Sequence, residues 1–204
     1  KIHGKEEYLL WYYPFEKGSI QADWDAGNQH PIVPDEVNDL YGFTTDSYSK
    51  YRGALVLRML QNELGDEVWW KVVRQFVKEN AGKQVRTKDF QNTVESISGK
   101  SFQWFFDQWI YRIGQPVFEV SSRFLPETSK LVLTVKQKMP PENKAPFEQV
   151  SYFQGKVEVE SDAGIFSIVL KPVAENQFEF DVSKRPGFVH FNTNGTFLCE
   201  TIFE

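Results

Sequence analysis

Cysteine is almost absent from this chain of 204 residues, since Cys199 is the only one. A single thiol excludes an intramolecular disulfide and any zinc site built from several cysteines. The three histidines, His3, His30 and His190, are too far apart in sequence to form a local ligand pair, and no H-E-x-x-H motif occurs. We therefore expect no metal site within this chain.

Neither charge of one sign nor a long hydrophobic run stands out. The chain has 23 Lys and Arg against 28 Asp and Glu, a net charge of −5, and both halves are mildly acidic. Such a chain lacks the basic surface that nucleic acids or anionic membranes require. No apolar run approaches the roughly 20 residues of a membrane-spanning helix. We expect neither nucleic acid as a partner nor a membrane span.

The short motifs of several enzyme classes are also missing. G-x-S-x-G, G-x-x-x-x-G-K and G-x-G-x-x-G do not occur, so triad hydrolases and phosphate-binding loops have no support. Cys199 lies in an alternating run with no histidine near it in sequence, which favours a core position over a nucleophile. The chain starts at Lys1 without Met or a signal-peptide pattern, and we expect a fragment or a processed product.

What the sequence does contain, up to about Gly114, is helical spacing of apolar residues. A helix in KEEYLLWYY is predicted to end at Pro14, and the stretch from there to Asp46 reads as a long irregular loop. The many aromatic residues, among them Trp104, Phe105 and Trp109, are expected to pack the core. Four further helices are predicted, in RGALVLRMLQNEL, DEVWWKVVRQFVKEN, TKDFQNTVESISG and SFQWFFDQWIYRIG.

From Val117 onward the apolar residues alternate with polar ones, which is typical of strands. The whole is an α+β chain of two segregated parts, with residues 1–116 helical and residues 117–204 an antiparallel β-sandwich. Asn194-Gly195 predicts a hairpin turn between the last two strands, and Asn194-Gly195-Thr196 also matches an N-glycosylation acceptor. Seven strands are predicted, in VFEVSSRF, KLVLTVKQK, QVSYFQGKVEVE, GIFSIVLK, NQFEFDV, GFVHFN and TFLCETIF.

Several short motifs occur in a fixed order across about 70 residues. They are Gly53-Ala54, Met59-Leu60, Leu64-Gly65-Asp66, Thr87 with Asp89-Phe90, Phe106 with Gln108-Trp109, and Gly114 with Pro116, preceded by HPIV at His30 to Val33. In this order they resemble the C-terminal part of the catalytic domain of the aminopeptidase N-like zinc metallopeptidases, the gluzincins, in their bacterial branch. The resemblance implies that residues 1–116 are the end of a thermolysin-like catalytic domain and that a β-sandwich domain follows.

The resemblance also implies a function for the longer protein. It would be a zinc-dependent aminopeptidase that hydrolyses N-terminal residues from peptides. Its H-E-x-x-H zinc site would lie upstream of this chain, and a glutamate would act as general base for the metal-bound water. The chain itself would hold no zinc and would be inactive without that upstream half, with which it would pack. Apolar surface is then expected where the two halves meet, in KEEYLLWYYPF and the Gly18 to Asp46 stretch.

One catalytic residue of the family falls within this chain, a tyrosine in Y-x-K-G whose hydroxyl stabilises the oxyanion. Three residues before Gly53 stands Lys50, while the tyrosines are Tyr48 and Tyr51, and Arg52 replaces the usual Lys. Tyr48 and Tyr51 would share a helix face, so either is a candidate for the catalytic hydroxyl. Because of this departure, an impaired parent enzyme and a purely structural role for both rings remain open.

Two other functions are compatible with the sequence. The chain could belong to a non-catalytic relative that keeps the peptidase fold as a scaffold for protein interaction. It could also be a carbohydrate-binding β-sandwich with a helical partner domain, which would need a row of exposed aromatic residues on the sandwich. GFVHFN and NQFEFDV argue against that second alternative, since their alternation buries one aromatic face.

Overall fold

A computed structural model describes residues 4–34, 47–138 and 146–203. Helices precede strands, as the apolar spacing predicts. The helical elements are α1 (Gly4–Glu7), a π-helical turn π1 (Tyr8–Tyr12), α2 (Tyr13–Asp25), α3 (Ser47–Leu64), α4 (Asp66–Asn80), α5 (Thr87–Ser98), α6 (Gln103–Phe106) and a second π-helical turn π2 (Asp107–Tyr111). The strands are β1 (Val117–Leu125), β2 (Lys130–Lys138), β3 (Gly155–Ser161), β4 (Gly164–Leu170), β5 (Glu175–Asp181), β6 (Val189–Phe191) and β7 (Glu200–Phe203).

The first helix does not end at Pro14, and in this respect the sequence-based prediction is wrong. The chain stays helical to Asp25, and the π-helical turn widens it just before the proline. The backbone N–H of Tyr13 donates to the carbonyl of Tyr8, five residues back. Since Pro14 has no N–H and its ring crowds the preceding turn, this wider turn lets the helix continue through it. Residues 35–46 of the expected irregular stretch lie outside the described residues.

The helices pack through aromatic rings and small apolar side chains. Val72 of α4 and Val94 of α5 are completely buried. The Phe90 ring meets Phe76 edge-on at a centroid distance of 5.1 Å and Phe106 at 6.4 Å. Such edge-to-face pairs add to the stabilisation from buried apolar area. None of the described helices combines the length and the apolar composition that a bilayer crossing requires.

The seven strands form two sheets among the described residues. One has the order β5-β2-β1-β7 and the other the order β4-β3-β6. All strand pairs are antiparallel except β1 with β7, which run parallel with Val117 opposite Glu200. The expectation of a wholly antiparallel arrangement is therefore wrong at this edge. Alternating apolar residues predict a strand in either direction, so the sequence pattern could not distinguish the two.

The predicted hairpin at Asn194-Gly195 is not present, because the strands on either side pair in different sheets. β6 pairs with β3, whereas β7 pairs with β1. The turn instead carries the chain from one sheet to the other. The side chain of Asn192 holds it, donating to the carbonyl of Phe197 at 2.7 Å and accepting from the Phe197 N–H at 3.1 Å. Burial of Phe197 and Leu198 decides this path, which turn chemistry alone did not.

The helices and both sheets share one hydrophobic core. Trp109 and Phe105 are buried and Trp104 is partly buried against the core, which confirms their expected packing role. The Trp109 ring lies 5.0 Å from the Phe153 ring and 5.4 Å from the Phe197 ring, both of which belong to the strand half. The two halves are therefore joined by buried aromatic contacts as well as by the chain.

Glu63 provides a polar contact between the two halves. Its carboxylate accepts from the backbone N–H of Lys156 at the start of β3, and the Lys156 ammonium donates to the Glu63 carbonyl at 2.6 Å. Burial raises the pKa of the Glu63 carboxyl, and the hydrogen bond and charge of Lys156 only partly oppose it. The ionised form is thus less favourable in the fold than in the unfolded chain.

This raised pKa predicts how stability depends on pH. The contribution of Glu63 to stability should grow as pH falls through its raised pKa toward the unfolded value of 4.5, and the buried charge should cost stability above that range. Glu63→Gln keeps an acceptor for Lys156 and removes the charge, so it should gain stability relative to the unchanged chain on going from pH 5 to pH 8. Urea unfolding at both pH values measures this.

Glu67→Gln is the matched control, at a glutamate in the first turn of α4. The hydrogen bond from Lys71 lowers the pKa of the exposed Glu67 carboxyl, so its contribution is present at neutral pH and lost in acid. Between pH 5 and pH 8 this variant should change little relative to the unchanged chain, because the contribution of Glu67 is lost only as pH falls below the unfolded value of 4.5 and because the pair is exposed. If Glu63→Gln lost more stability at pH 8 than at pH 5, the assigned effect of burial would be wrong.

Candidate functional site

The two candidate tyrosines lie in the first turns of α3, which begins at Ser47. Tyr51 is half-buried, and its ring meets the Phe15 ring edge-on at 5.5 Å. The side chain of Tyr48 lies outside what the structure describes. Lys50, which stands at the family's tyrosine position, is exposed. Packing against Phe15 of α2 thus explains why Tyr51 carries an aromatic ring. It does not explain why Lys50 stands at the family's tyrosine position.

Arg52 fixes the start of α3 against the junction of the two halves. Its side chain is completely buried, and Nη1 donates to the carbonyl of Gly114 at 3.0 Å. The guanidinium carbon lies 5.5 Å from the centre of the Trp109 ring, a cation–π contact. The sequence marks Arg52 only as a replacement for the family's lysine. Its role as an anchor depends on Gly114, 62 residues away, and no local pattern could have predicted it.

Gly114 allows this close packing because it has no side chain. Its φ of +145° is a conformation that other residues rarely adopt. A Cβ atom here would lie 2.8 Å from the Phe153 ring. The position predicted as a helix stop is therefore also the point at which a helix, a loop of the strand half and Arg52 meet.

The HPIV segment packs beside these elements. Pro31 is buried, and the Val33 N–H donates to the carbonyl of Ile110 in π2 at 3.1 Å. Nδ1 of His30 lies 2.8 Å from the carbonyl oxygen of Pro31. The ring is thereby held by its own loop, which is a structural role.

An aromatic face, defined by Leu10, Trp11 and Phe15, lies along the first helix. Their side chains are 67%, 68% and 60% exposed. Tyr12, beside them, is 47% exposed. Surface apolar residues normally occur singly, and a cluster of this kind marks a contact surface. The apolar exposure expected in KEEYLLWYYPF is thus confirmed, and through Phe15 the aromatic face adjoins Tyr51.

A second apolar surface lies on the other side of α3. It is a groove of about 300 Å³, to which Ile32, Val33, Leu57 and Val85 contribute. Val33, Leu57 and Val85 are 37%, 45% and 46% exposed. Apolar surface therefore flanks α3 on two sides near its start.

The described residues do not suit a zinc ion. They contain no group of three or more His, Cys, Asp or Glu side chains close enough to hold one. His30 lies in the helical half and His190 in the strand half, while His3 lies outside the described residues. Cys199 is buried, and burial raises the pKa of its thiol to about 11, which disfavours the thiolate that binds metals.

Comparison with known proteins places these observations in a family. Residues 10–109 match the model described as the peptidase family M1 domain. This part of the chain belongs to the aminopeptidase N-like M1 peptidases. The matched residues include α3 with both candidate tyrosines and Arg52, and all three residues of the aromatic face. The resemblance inferred from the ordered motifs is therefore confirmed.

Several M1 relatives are similar to the chain over different lengths. Escherichia coli aminopeptidase N is 28% identical over 185 residues, covering 84% of this chain and 20% of that protein. Haemophilus influenzae aminopeptidase N is 33% identical over 125 residues, covering 60% of this chain and 14% of that protein. The tricorn protease-interacting factor F2 of Thermoplasma volcanium is 31% identical over 109 residues, covering 51% of this chain and 13% of that protein. The chain thus spans a fifth or less of the length of these relatives.

A solved structure supports the fold across both halves. The crystal structure of Legionella pneumophila aminopeptidase A in complex with aspartic acid matches with a TM-score of 0.68 and 18% sequence identity. The match covers 92% of this chain and 22% of that one. At this identity the likeness concerns the fold alone, and it extends beyond the residues that match the M1 model into the strand half.

Proposed function

We propose that this chain is part of a zinc-dependent aminopeptidase that removes N-terminal residues from peptides, and that it lies downstream of the zinc site. The observation that carries the proposal is the M1 match over residues 10–109, which contains the candidate tyrosine segment at the start of α3. Residues 1–116 would complete the catalytic domain, and residues 117–204 would form a β-sandwich domain against it. The buried contacts of Trp109 with the strand half support a fixed arrangement of the two.

The zinc site would belong to the upstream half of the same polypeptide. The zinc ion would activate a water molecule for attack on the peptide bond. The part left to this chain is the hydroxyl of Tyr48 or Tyr51, which would donate a hydrogen bond to the oxygen that becomes negatively charged. The buried Arg52 would keep the start of α3 in place for that contact.

The division of the active site between the upstream half and this chain also indicates what this chain would contact. The aromatic face of Leu10, Trp11 and Phe15 would pack against the upstream half, because it adjoins the tyrosine segment and is exposed in this chain. The peptide substrate would be bound between the upstream half of the polypeptide and this chain. The net charge of −5 gives no support to a nucleic-acid partner.

The proposal is tested by comparing this chain with the longer polypeptide that contains it. The longer protein should hydrolyse an aminoacyl anilide in the presence of zinc. The isolated chain should show no turnover and no stoichiometric metal after dialysis against a weak chelator. One tightly held zinc per isolated chain, or turnover without the upstream half, would contradict the proposal.

The aromatic face can be tested by dye binding. The isolated chain should bind an apolar fluorescent dye, and Trp11→Ser should reduce this binding. The matched control is Trp70→Ser, since Trp70 is likewise exposed, at 46%, but belongs to α4 and not to the aromatic face. The longer protein should bind less dye per molecule than the isolated chain. Equal binding by the two proteins would show that the aromatic face does not pack against the upstream half.

A further inference from the structure

A cleft of about 500 Å³ opens in the strand half, between the end of β1 and the loop from β5 to β6. Arg123 and Phe124 contribute from β1, and Arg185 and Phe188 contribute from the loop. This volume is in the range of sites that bind small molecules or a few residues of a peptide. Tyr51 and the aromatic face of the helical half are not among the lining residues that the structure describes.

The cleft carries positive charge within an acidic protein. Arg123 and Arg185 are its two charged lining residues, and no carboxylate belongs to the lining that the structure describes. Neither arginine forms an ion pair within the described ranges, although four other basic side chains of those ranges do. In a chain with a net charge of −5, two guanidinium groups that share a cleft without acidic partners favour an anionic ligand.

One wall of the cleft is apolar and held in place. The Phe188 side chain is 41% exposed, and its ring packs on the His190 ring at a centroid distance of 4.9 Å. The neighbouring Gly187 N–H donates to the Asp162 carboxylate at 3.0 Å, which ties the loop to the turn between β3 and β4. An exposed phenyl ring on a tethered loop offers a flat apolar contact at small cost in side-chain entropy.

We propose that this cleft binds the carboxylate of a peptide segment that has an apolar side chain beside it. Planar guanidinium groups form paired hydrogen bonds with carboxylates, which Arg123 and Arg185 can supply. Phe188 contacts the apolar side chain, and this contact separates the ligand from a simple inorganic anion. Tyr51 and Arg52, which the proposed peptidase chemistry uses, do not belong to the lining that the structure describes.

The test uses the full-length polypeptide and ligand-observed NMR with three probes. N-acetylphenylalanine carries the carboxylate and the ring, its amide lacks the charge, and inorganic phosphate lacks the ring. The acid should bind, and the other two should bind at least about tenfold more weakly, since a charge-assisted hydrogen bond is lost in one and the apolar contact in the other. Arg123→Gln and Arg185→Gln should each weaken binding of the acid by roughly tenfold or more.

The control for charge is Arg74→Gln, which removes an exposed arginine of α4 in the helical half and should leave binding unchanged. Phe188→Ala should reduce binding of the acid without affecting that of phosphate. Equal binding of the acid and its amide would overturn the proposal. So would phosphate binding as tightly as the acid, or undiminished binding by both arginine variants. These outcomes are independent of aminopeptidase activity, which the same preparations report separately.

Discussion

Replacing Trp109 with alanine should reduce the free energy of unfolding by about 3–5 kcal/mol, the usual cost of truncating a large buried aromatic side chain. Trp109 is only 1% exposed. Its ring packs against Phe153 and Phe197 of the strand half and lies beneath the Arg52 guanidinium. The substitution would leave a cavity and would also remove the aromatic partner of a buried cation. We therefore expect the two halves to lose stability together.

Chemical unfolding monitored by circular dichroism measures this loss. Trp70→Ala is the matched control, since Trp70 is 46% exposed and should change stability by no more than about 0.5 kcal/mol. Because whole domains are stable by only about 5–15 kcal/mol, Trp109→Ala could prevent folding, and Trp109→Phe provides a milder test with a smaller loss. A change below about 1 kcal/mol for Trp109→Ala would show that this residue does not hold the halves together.

The second large effect concerns turnover in the full-length protein. One of the variants Tyr48→Phe and Tyr51→Phe should reduce kcat by roughly a hundred- to a thousandfold, equivalent to about 2.7–4 kcal/mol of transition-state stabilisation. Each substitution removes the hydroxyl and leaves the ring. We favour Tyr48, because Tyr48-Ser49-Lys50 keeps the family's Tyr-x-Lys order, and because contact with Phe15 already explains the ring of Tyr51.

The control for a general loss of hydroxyl hydrogen bonding is Tyr152→Phe, in the strand half, which should keep normal turnover. Zinc content should be the same in all variants, so that a lower kcat reports the chemical step. If both Tyr48→Phe and Tyr51→Phe keep near-normal turnover, neither hydroxyl stabilises the oxyanion. The family's catalytic tyrosine would then have no counterpart in this chain.

Sequence patterns determined those features that depend on neighbours along the chain. The change from helical to alternating spacing near Gly114 correctly separates helices from strands, because each period places one face of an element toward the core. The same reasoning identifies Phe105 and Trp109 as core residues. The ordered motifs from Gly53 to Pro116 identify the M1 family, since motifs that each occur often by chance seldom occur together in one order.

Only the tertiary structure decided the features that depend on distant residues. The helix continues past Pro14 because a π-helical turn precedes the proline and Ile20 is buried beyond it. β7 runs parallel to β1 because the buried Leu198 and Cys199 bring the chain to the edge of that sheet. Arg52 is an anchor because Gly114 lies within its reach in space. In each case long-range packing outweighs local preference, because burial of apolar surface supplies most of the free energy of folding. Local sequence patterns cannot specify which distant residues bury a given apolar surface.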